Sequence, residues 1–181
     1  MRGYFGMGVE GLSKPMNAGN LIRSAHAFGA QFFFVVDADP RIREMHSDTS
    51  RTPRNIPFYL WETVEEMVLP DGCDLIGVEL TEDAVDLPSF RHPKQAACIL
   101  GPERGSLSEA ALARCHHVVR IPTAFCINVA TAGALVMYDR MLAHGRFAPR
   151  PISARKAPEK LGPHRHGGRF SRRALREAKT H

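Results

Sequence analysis

Residues 96–112 read Ala-Ala-Cys-Ile-Leu-Gly-Pro-Glu-Arg-Gly-Ser-Leu-Ser-Glu-Ala-Ala-Leu. The first five form an unbroken apolar run, too short for a helix and without the alternation of a half-exposed strand. Such a run suits a strand covered on both faces, as in a parallel sheet. Gly101-Pro102 stops it. Ser106-x-x-Glu109 is a capping-box signature that opens a helix carrying Leu107, Ala110, Ala111 and Leu112. Strand, tight loop and capped helix together are the repeating unit of an α/β sheet.

The same unit recurs outward in both directions. Further strands are expected at Tyr4–Val9, Phe32–Val36, Leu75–Leu80 and His117–Ile121, each a short apolar run bounded by turn or polar residues. Helices are expected at about Gly19–Phe28, with Leu21, Ile22, Ala25 and Phe28 on one face and Gly29 as C-cap, and at about Glu62–Val68. Asn128–His144 is apolar nearly all round, which predicts a buried helix. Residues 39–57 are polar, carry Arg41, Arg43, Arg51 and Arg54, and read as a long surface loop. The expected fold is α/β, a single domain over residues 1–146 with a mostly parallel sheet flanked by helices. Residues 147–181 read as a basic, flexible linker and tail.

Composition narrows the function class. The chain has 181 residues, 44% of them apolar, and a net charge of +5. From Arg146 to His181 eleven Lys and Arg stand against two acidic residues, a local charge of +9 that leaves the preceding part at −4. A cationic tail on an anionic domain points to a polyanionic partner. No apolar run nears the roughly 20 residues of a membrane span. With no signal-peptide pattern at Met1–Phe5, a cytoplasmic protein is expected. Cys73, Cys98, Cys115 and Cys126 are scattered without metal-ligand spacing, so neither a disulfide framework nor a metal site is expected.

Three clusters follow predicted strands, where ligands bind in open α/β sheets. In Asn17-Ala18-Gly19-Asn20-Leu21-Ile22-Arg23-Ser24-Ala25 a polar turn opens a helix, whose free N–H groups attract anions, and Arg23 adds a phosphate-shaped fork. In Ile99–Ser106 the glycines permit close approach to a ligand, and Glu103 can accept hydrogen bonds. In Val119–Gly133 a strand and turn lead into small residues, with Asn128 as a good N-cap. Each alone is also compatible with an ordinary capped helix.

Taken in order, the three resemble the signature motifs of the SpoU/TrmH family of SPOUT methyltransferases. Asn17, Gly19, Asn20, Arg23 and Ala25 match its first motif. Leu100, Gly101, Glu103 and the glycine that follows are similar to its second, with Pro102 as an added residue. Ile121, Pro122, Asn128, Val129 and Ala130 resemble its third. The likeness covers residues 3–145. It implies a C-terminal trefoil knot, a homodimer whose sites draw on both subunits, and transfer of a methyl group from S-adenosylmethionine to a ribose 2′-hydroxyl of RNA. By the same resemblance Leu80, Gly101, Ile121, Ile127 and Asn128 contact the cofactor, and Glu103 and Asn128 brace the loops. Asn17 and Arg23 then face the RNA.

Arg23 is cast in this family as a general base. A guanidinium rarely gives up its proton, so orienting the target and stabilising the developing alkoxide suits it better. The stretch Pro122–Asn128 is a few residues shorter than the family loop, and Cys126 stands where serine is usual. That departure motivates the alternative of an RNA-binding protein that keeps the fold with altered catalysis. Arg41, Arg43, Arg51 and Arg54 are expected to join Arg23 and the tail on the RNA, with tRNA favoured over rRNA because no separate RNA-recognition domain precedes the motifs.

Overall fold

The computed structural model describes residues 3–47 and 56–158. The chain divides into two units, Met1–Gly145 and Arg146–His181. In the first, seven strands form one sheet: β1 (Tyr4–Glu10), β2 (Phe32–Val36), β3 (Phe58–Trp61), β4 (Asp74–Val78), β5 (Val85–Asp86), β6 (Gln95–Leu100) and β7 (His117–Arg120). Every neighbouring pair is parallel, in the order β3-β2-β1-β6-β4-β7-β5. The helices are α1 (Pro15–Ala27), α2 (Pro40–Ser47), α3 (Glu109–Arg114) and α4 (Val129–His144).

Both faces of the sheet are covered, which is why its strands read as unbroken apolar runs. Met7, Val9, Phe33, Val35, Cys98 and Leu100 point into one core, filled from α1 and α4 by Leu21, Ile22, Ala25, Val136 and Met137. Phe32, Phe34, Val36, Ala97 and Ile99 point into the other, with Val64, Met67, Leu107 and Ala111. Burying a side chain the size of Phe33, which is inaccessible to solvent, stabilises the fold by about 1.5–3 kcal/mol. Helices α1 and α4 touch through Gly133, where an added Cβ would stand 2.3 Å from Leu21 Cδ1.

Arg140 fastens α4 to the amino ends of the central strands β1 and β6. Its buried guanidinium donates to the carbonyls of Pro93, Lys94 and Tyr4 and lies over the Phe5 ring at 5.2 Å. Burial lowers its pKa, and carbonyl dipoles with an aromatic face replace the water that a cation loses.

Several expectations are corrected. The four-residue edge strand β3 and the two-residue β5 were not anticipated, because neither is long enough to show a period. Trp61 on β3 packs edge-on against Phe34 at 5.6 Å. Residues 62–68 form turns instead of a helix. Their carbonyls go to a side chain: the Arg114 guanidinium donates to Val64, Glu65 and Met67, while Glu66 accepts the N–H of Glu62. Within the expected 39–57 loop lies helix α2. Pro40 is its first residue, the Asp39 carboxylate accepts the Arg41 N–H at 3.0 Å, and Ile42 is buried.

Helix α1 starts four residues earlier than expected, with Pro15 supplying a preset φ in its first turn. The N-cap of α3 is Ser108, whose hydroxyl accepts the Ala111 N–H at 3.1 Å; Ser106 does not cap it, and Glu109 opens the helix. Helix α4 is buried on one side only. Leu135, Tyr138 and Leu142 form an outward stripe, exposed to 41%, 46% and 36%. In the second unit the Lys156 N–H closes a turn on Ser153. Residues 159–181, most of the expected tail, lie outside the described residues.

Candidate functional site

The sheet order reverses between β1 and β6, and ligands of open α/β sheets bind beyond the carboxyl ends of the strands at such a point. A cleft of about 320 Å³ opens there. The loops after β4, β6 and β7 wall it, with the start of α1 and the start of α4. Leu80, Gly101, Ile121, Ile127 and Asn128 all line it, as do Asn17 and Glu103. The structure therefore brings together every residue that the resemblance assigns to the cofactor, both bracing residues, Glu103 and Asn128, and one of the two residues expected to face the RNA, Asn17. Arg23 is not in the lining. It stands on the exposed face of α1 with Met16 and Asn20.

A relay of side chains joins the three motifs. Glu103 accepts the N–H and the hydroxyl of Ser13 at 3.1 and 2.8 Å, and the N–H of Lys14 at 3.1 Å. The Asn17 amide donates to the same carboxylate at 3.0 Å. Asn17 in turn accepts from the Asn128 amide at 3.1 Å. Asn128 Oδ1 then accepts the Ala130 and Thr131 N–H groups and so caps α4. The Glu103 carboxylate thus lies just before α1, on the N–H groups of Ser13 and Lys14, while the Asn17–Gly19 turn that the first motif offered to an anion lies inside the helix. Burial pushes the Glu103 carboxyl up, but the Ser13 hydroxyl, the Asn17 amide and the two backbone donors outweigh it. The net pKa is lowered, as expected for a carboxylate with several donors.

Two further carboxylates lie outside the motifs. Glu10, buried at the end of β1, accepts the N–H and hydroxyl of Ser108 at 2.8 and 2.6 Å. Glu79, just past β4, accepts the N–H groups of Leu80 and Leu107 at 2.9 and 2.8 Å. Their signal was an acidic residue closing an apolar strand at the ligand-binding edge.

The third loop is held by Thr123. Its N–H reaches Ile121 O at 2.7 Å and its hydroxyl donates to Phe125 O at 2.9 Å. Among the described residues nothing accepts the N–H groups of Cys126 and Ile127, which border the cleft. Cys126 is exposed and free.

The expected RNA contacts are dispersed. Arg41 pairs with Asp39 at 2.9 Å, and Arg43 pairs with Glu62 and donates to Ala38 O. Arg51 and Arg54 lie outside the described residues. Among the described residues no group of three or more His, Cys, Asp or Glu is placed to hold a metal ion, and no helix is long and apolar enough to cross a membrane.

A family model, the SpoU rRNA Methylase family, matches residues 7–138. The chain belongs to that family. A tRNA (guanosine(18)-2′-O)-methyltransferase of Escherichia coli K12 is 25% identical over 137 residues, covering 72% of this chain and 60% of the relative. A mouse tRNA (guanosine(18)-2′-O)-methyltransferase is 27% identical over 142 residues, or 71% of this chain and 9% of that protein. The chain therefore spans about 60% of the length of its bacterial relative.

Solved SpoU folds agree with the architecture. An AdoMet-bound rRNA methyltransferase from Sinorhizobium meliloti superposes with a TM-score of 0.68 at 22% identity, over 80% of this chain and 58% of that one. The SpoU methyltransferase AviRb from Streptomyces viridochromogenes gives 0.64 at 23% identity, over 81% and 62%. The single α/β domain with an all-parallel sheet is the fold of these family members.

Proposed function

We propose that this protein transfers a methyl group from S-adenosylmethionine to a ribose 2′-hydroxyl of RNA, acting in the cytoplasm on tRNA or rRNA. The observation that carries the reading is the convergence of all three family motifs on one cleft, joined by the Glu103–Asn17–Asn128 relay. Family membership and the names of the relatives support it.

The cleft fits the cofactor. Its volume lies at the lower end of the roughly 300–1,000 Å³ of small-molecule sites. Val78, Leu80, Leu100, Ile121, Ile127 and Val129 give apolar walls suited to a purine and exclude water from it. The Cys126 and Ile127 N–H groups are free for its acceptors, and Glu79 and Glu103 place negative charge beside a cationic ligand. When bound, S-adenosylmethionine supplies an electrophilic methyl on a sulfonium.

The chain's own task is positioning, which can supply much of the rate in such a displacement. The relay fixes the three loops relative to one another. Arg23, with no hydrogen-bond or ion-pair partner among the described residues, is available to hold an RNA phosphate or the reacting oxygen. Its place outside the cleft lining supports a homodimer in which Arg23 serves a partner's cleft, and the outward apolar stripe on α4 supports the same assembly. The trefoil knot of the family and RNA binding by the tail belong to this proposal.

The deciding experiment incubates the full chain with methyl-labelled S-adenosylmethionine and RNA from cells lacking the protein, then maps 2′-O-methyl positions. A new 2′-O-methylated nucleotide is expected. Cofactor binding by calorimetry without any transfer would favour the catalytically altered RNA-binding protein, and no cofactor binding would sink the methyltransferase reading.

A further inference from the structure

We propose that Glu79 is a positioning residue that sets the width of the cofactor cleft by tying the β6 loop to the end of β4, an inference that rests on the methyltransferase reading. Strand β6 lies between β1 and β4, and the loop after it, Gly101–Ser108, forms a wall of the cleft. Two consecutive N–H groups at the end of this loop are each taken by a carboxylate from a different neighbouring strand. Ser108 donates to Glu10 at the end of β1, and Leu107 donates to Glu79 Oε2 beyond β4.

The two carboxylates differ in what they hold. Glu10 binds Ser108, the N-cap of α3, so it secures that helix. Glu79 is not needed for the cap. Its other oxygen accepts the N–H of Leu80, the next residue, which lines the cleft. One side chain therefore ties the loop after β6 to the loop after β4. It also closes over Gly101: a Cβ there would lie 3.0 Å from Leu107 N and 3.2 Å from Glu79 Oε2. An ionised carboxylate suits this place because it accepts two N–H donors at once, and charge-assisted bonds of this kind are short and strong. A glutamine side chain has one acceptor oxygen, and its NH2 would face the second donor.

The test uses the full-length chain with Glu79→Ala and Glu79→Gln. In the cofactor-free protein, amide hydrogen exchange should quicken at Leu80 and Leu107 in Glu79→Ala, while Ser108 and β6 keep their protection. The Kd for S-adenosylmethionine should rise about tenfold, which corresponds to about 1.4 kcal/mol, and Glu79→Gln should fall between. The KM for S-adenosylmethionine should rise with it while the KM for RNA stays unchanged.

An unchanged Kd in Glu79→Ala would overturn the proposal, as would protection lost through β6 to the same extent as at Leu107, which marks general unfolding. If the wild-type chain binds no S-adenosylmethionine, the functional reading fails. The bridge is still judged by exchange at Leu80 and Leu107, and unchanged exchange there refutes it.

Discussion

The side-chain amide of Asn128 donates to the side-chain oxygen of Asn17 at 3.1 Å, joining residues 111 positions apart in the chain. Asn128 uses its own oxygen to cap α4, and Asn17 uses its amide to bind Glu103. Each asparagine thus satisfies one partner on each side. Asn128→Ala removes a cap and a part-buried bond, and should cost about 1–2 kcal/mol of stability. Asn17→Ala should cost a similar amount. Because the two share a bond, the double variant should lose less than the sum, by about 0.5–1 kcal/mol. Urea denaturation of the four proteins checks this, and strict additivity would refute the coupling.

Arg23 stands on the exposed face of α1, outside the cleft lining. Arg23→Ala should abolish methyl transfer while leaving the Kd for S-adenosylmethionine within about twofold of wild type, well under the ~1.4 kcal/mol of a tenfold change. Arg23→Lys keeps the charge but loses the fork and should recover little. Near-wild-type turnover by Arg23→Ala would exclude both a basic and a positioning role.

His92 is buried at the approach to β6, with Nε2 2.9 Å from Asp139 Oδ2 and Nδ1 unpartnered among the described residues. Burial lowers its pKa more than the Asp139 hydrogen bond raises it, and Arg140 and His144 push the same way as burial. The folded protein therefore holds a neutral ring that donates through Nε2. The unfolded chain takes up the proton first, near pH 6.5. Stability should be full above that pH and decline as pH falls from there through the lowered folded value. Denaturation midpoints at pH 7.5, 6.5 and 5.5 should show this decline in wild type and a flatter profile in His92→Asn. Equal slopes would show that His92 is not the group responsible.

Leu135, Tyr138 and Leu142 present an apolar stripe that a lone subunit leaves in water. If it is the dimer face, Leu135→Arg should shift the protein to monomer in sedimentation velocity and remove methyl transfer without lowering the thermal midpoint of the monomer. A dimer that survives both Leu135→Arg and Tyr138→Glu would place the interface elsewhere.

Residues 146–181 carry a charge of +9. Deleting residues 150–181 should weaken RNA binding and reduce its salt dependence by several phosphate contacts' worth of slope, with cofactor affinity unchanged. An identical salt slope in the truncated protein would assign RNA binding to the core alone.

Five strands and three of the four helices were visible from the sequence because burial on both faces writes unbroken apolar runs, and caps such as Asn128 mark helix starts. Residues of all three motifs likewise line the cleft. What escaped was anything decided by partners far along the chain. Residues 62–68 have the composition of a helix, yet Arg114 takes their carbonyls. Strand β3 exists because Phe33–Val36 offer it an edge. Ser108, not Ser106, caps α3 because Glu10 waits across the loop.

The chain by itself determined a parallel α/β sheet and the ordered motifs that mark its family, since those follow from local pattern. Only tertiary structure decided that Glu103 meets the chain just before α1, that Glu79 reaches the loop after β6, and that Arg23 stands outside the cleft lining. Hydrogen bonds between residues many tens of positions apart leave no periodic mark on the sequence; they exist only once the sheet order has set β1, β6 and β4 side by side.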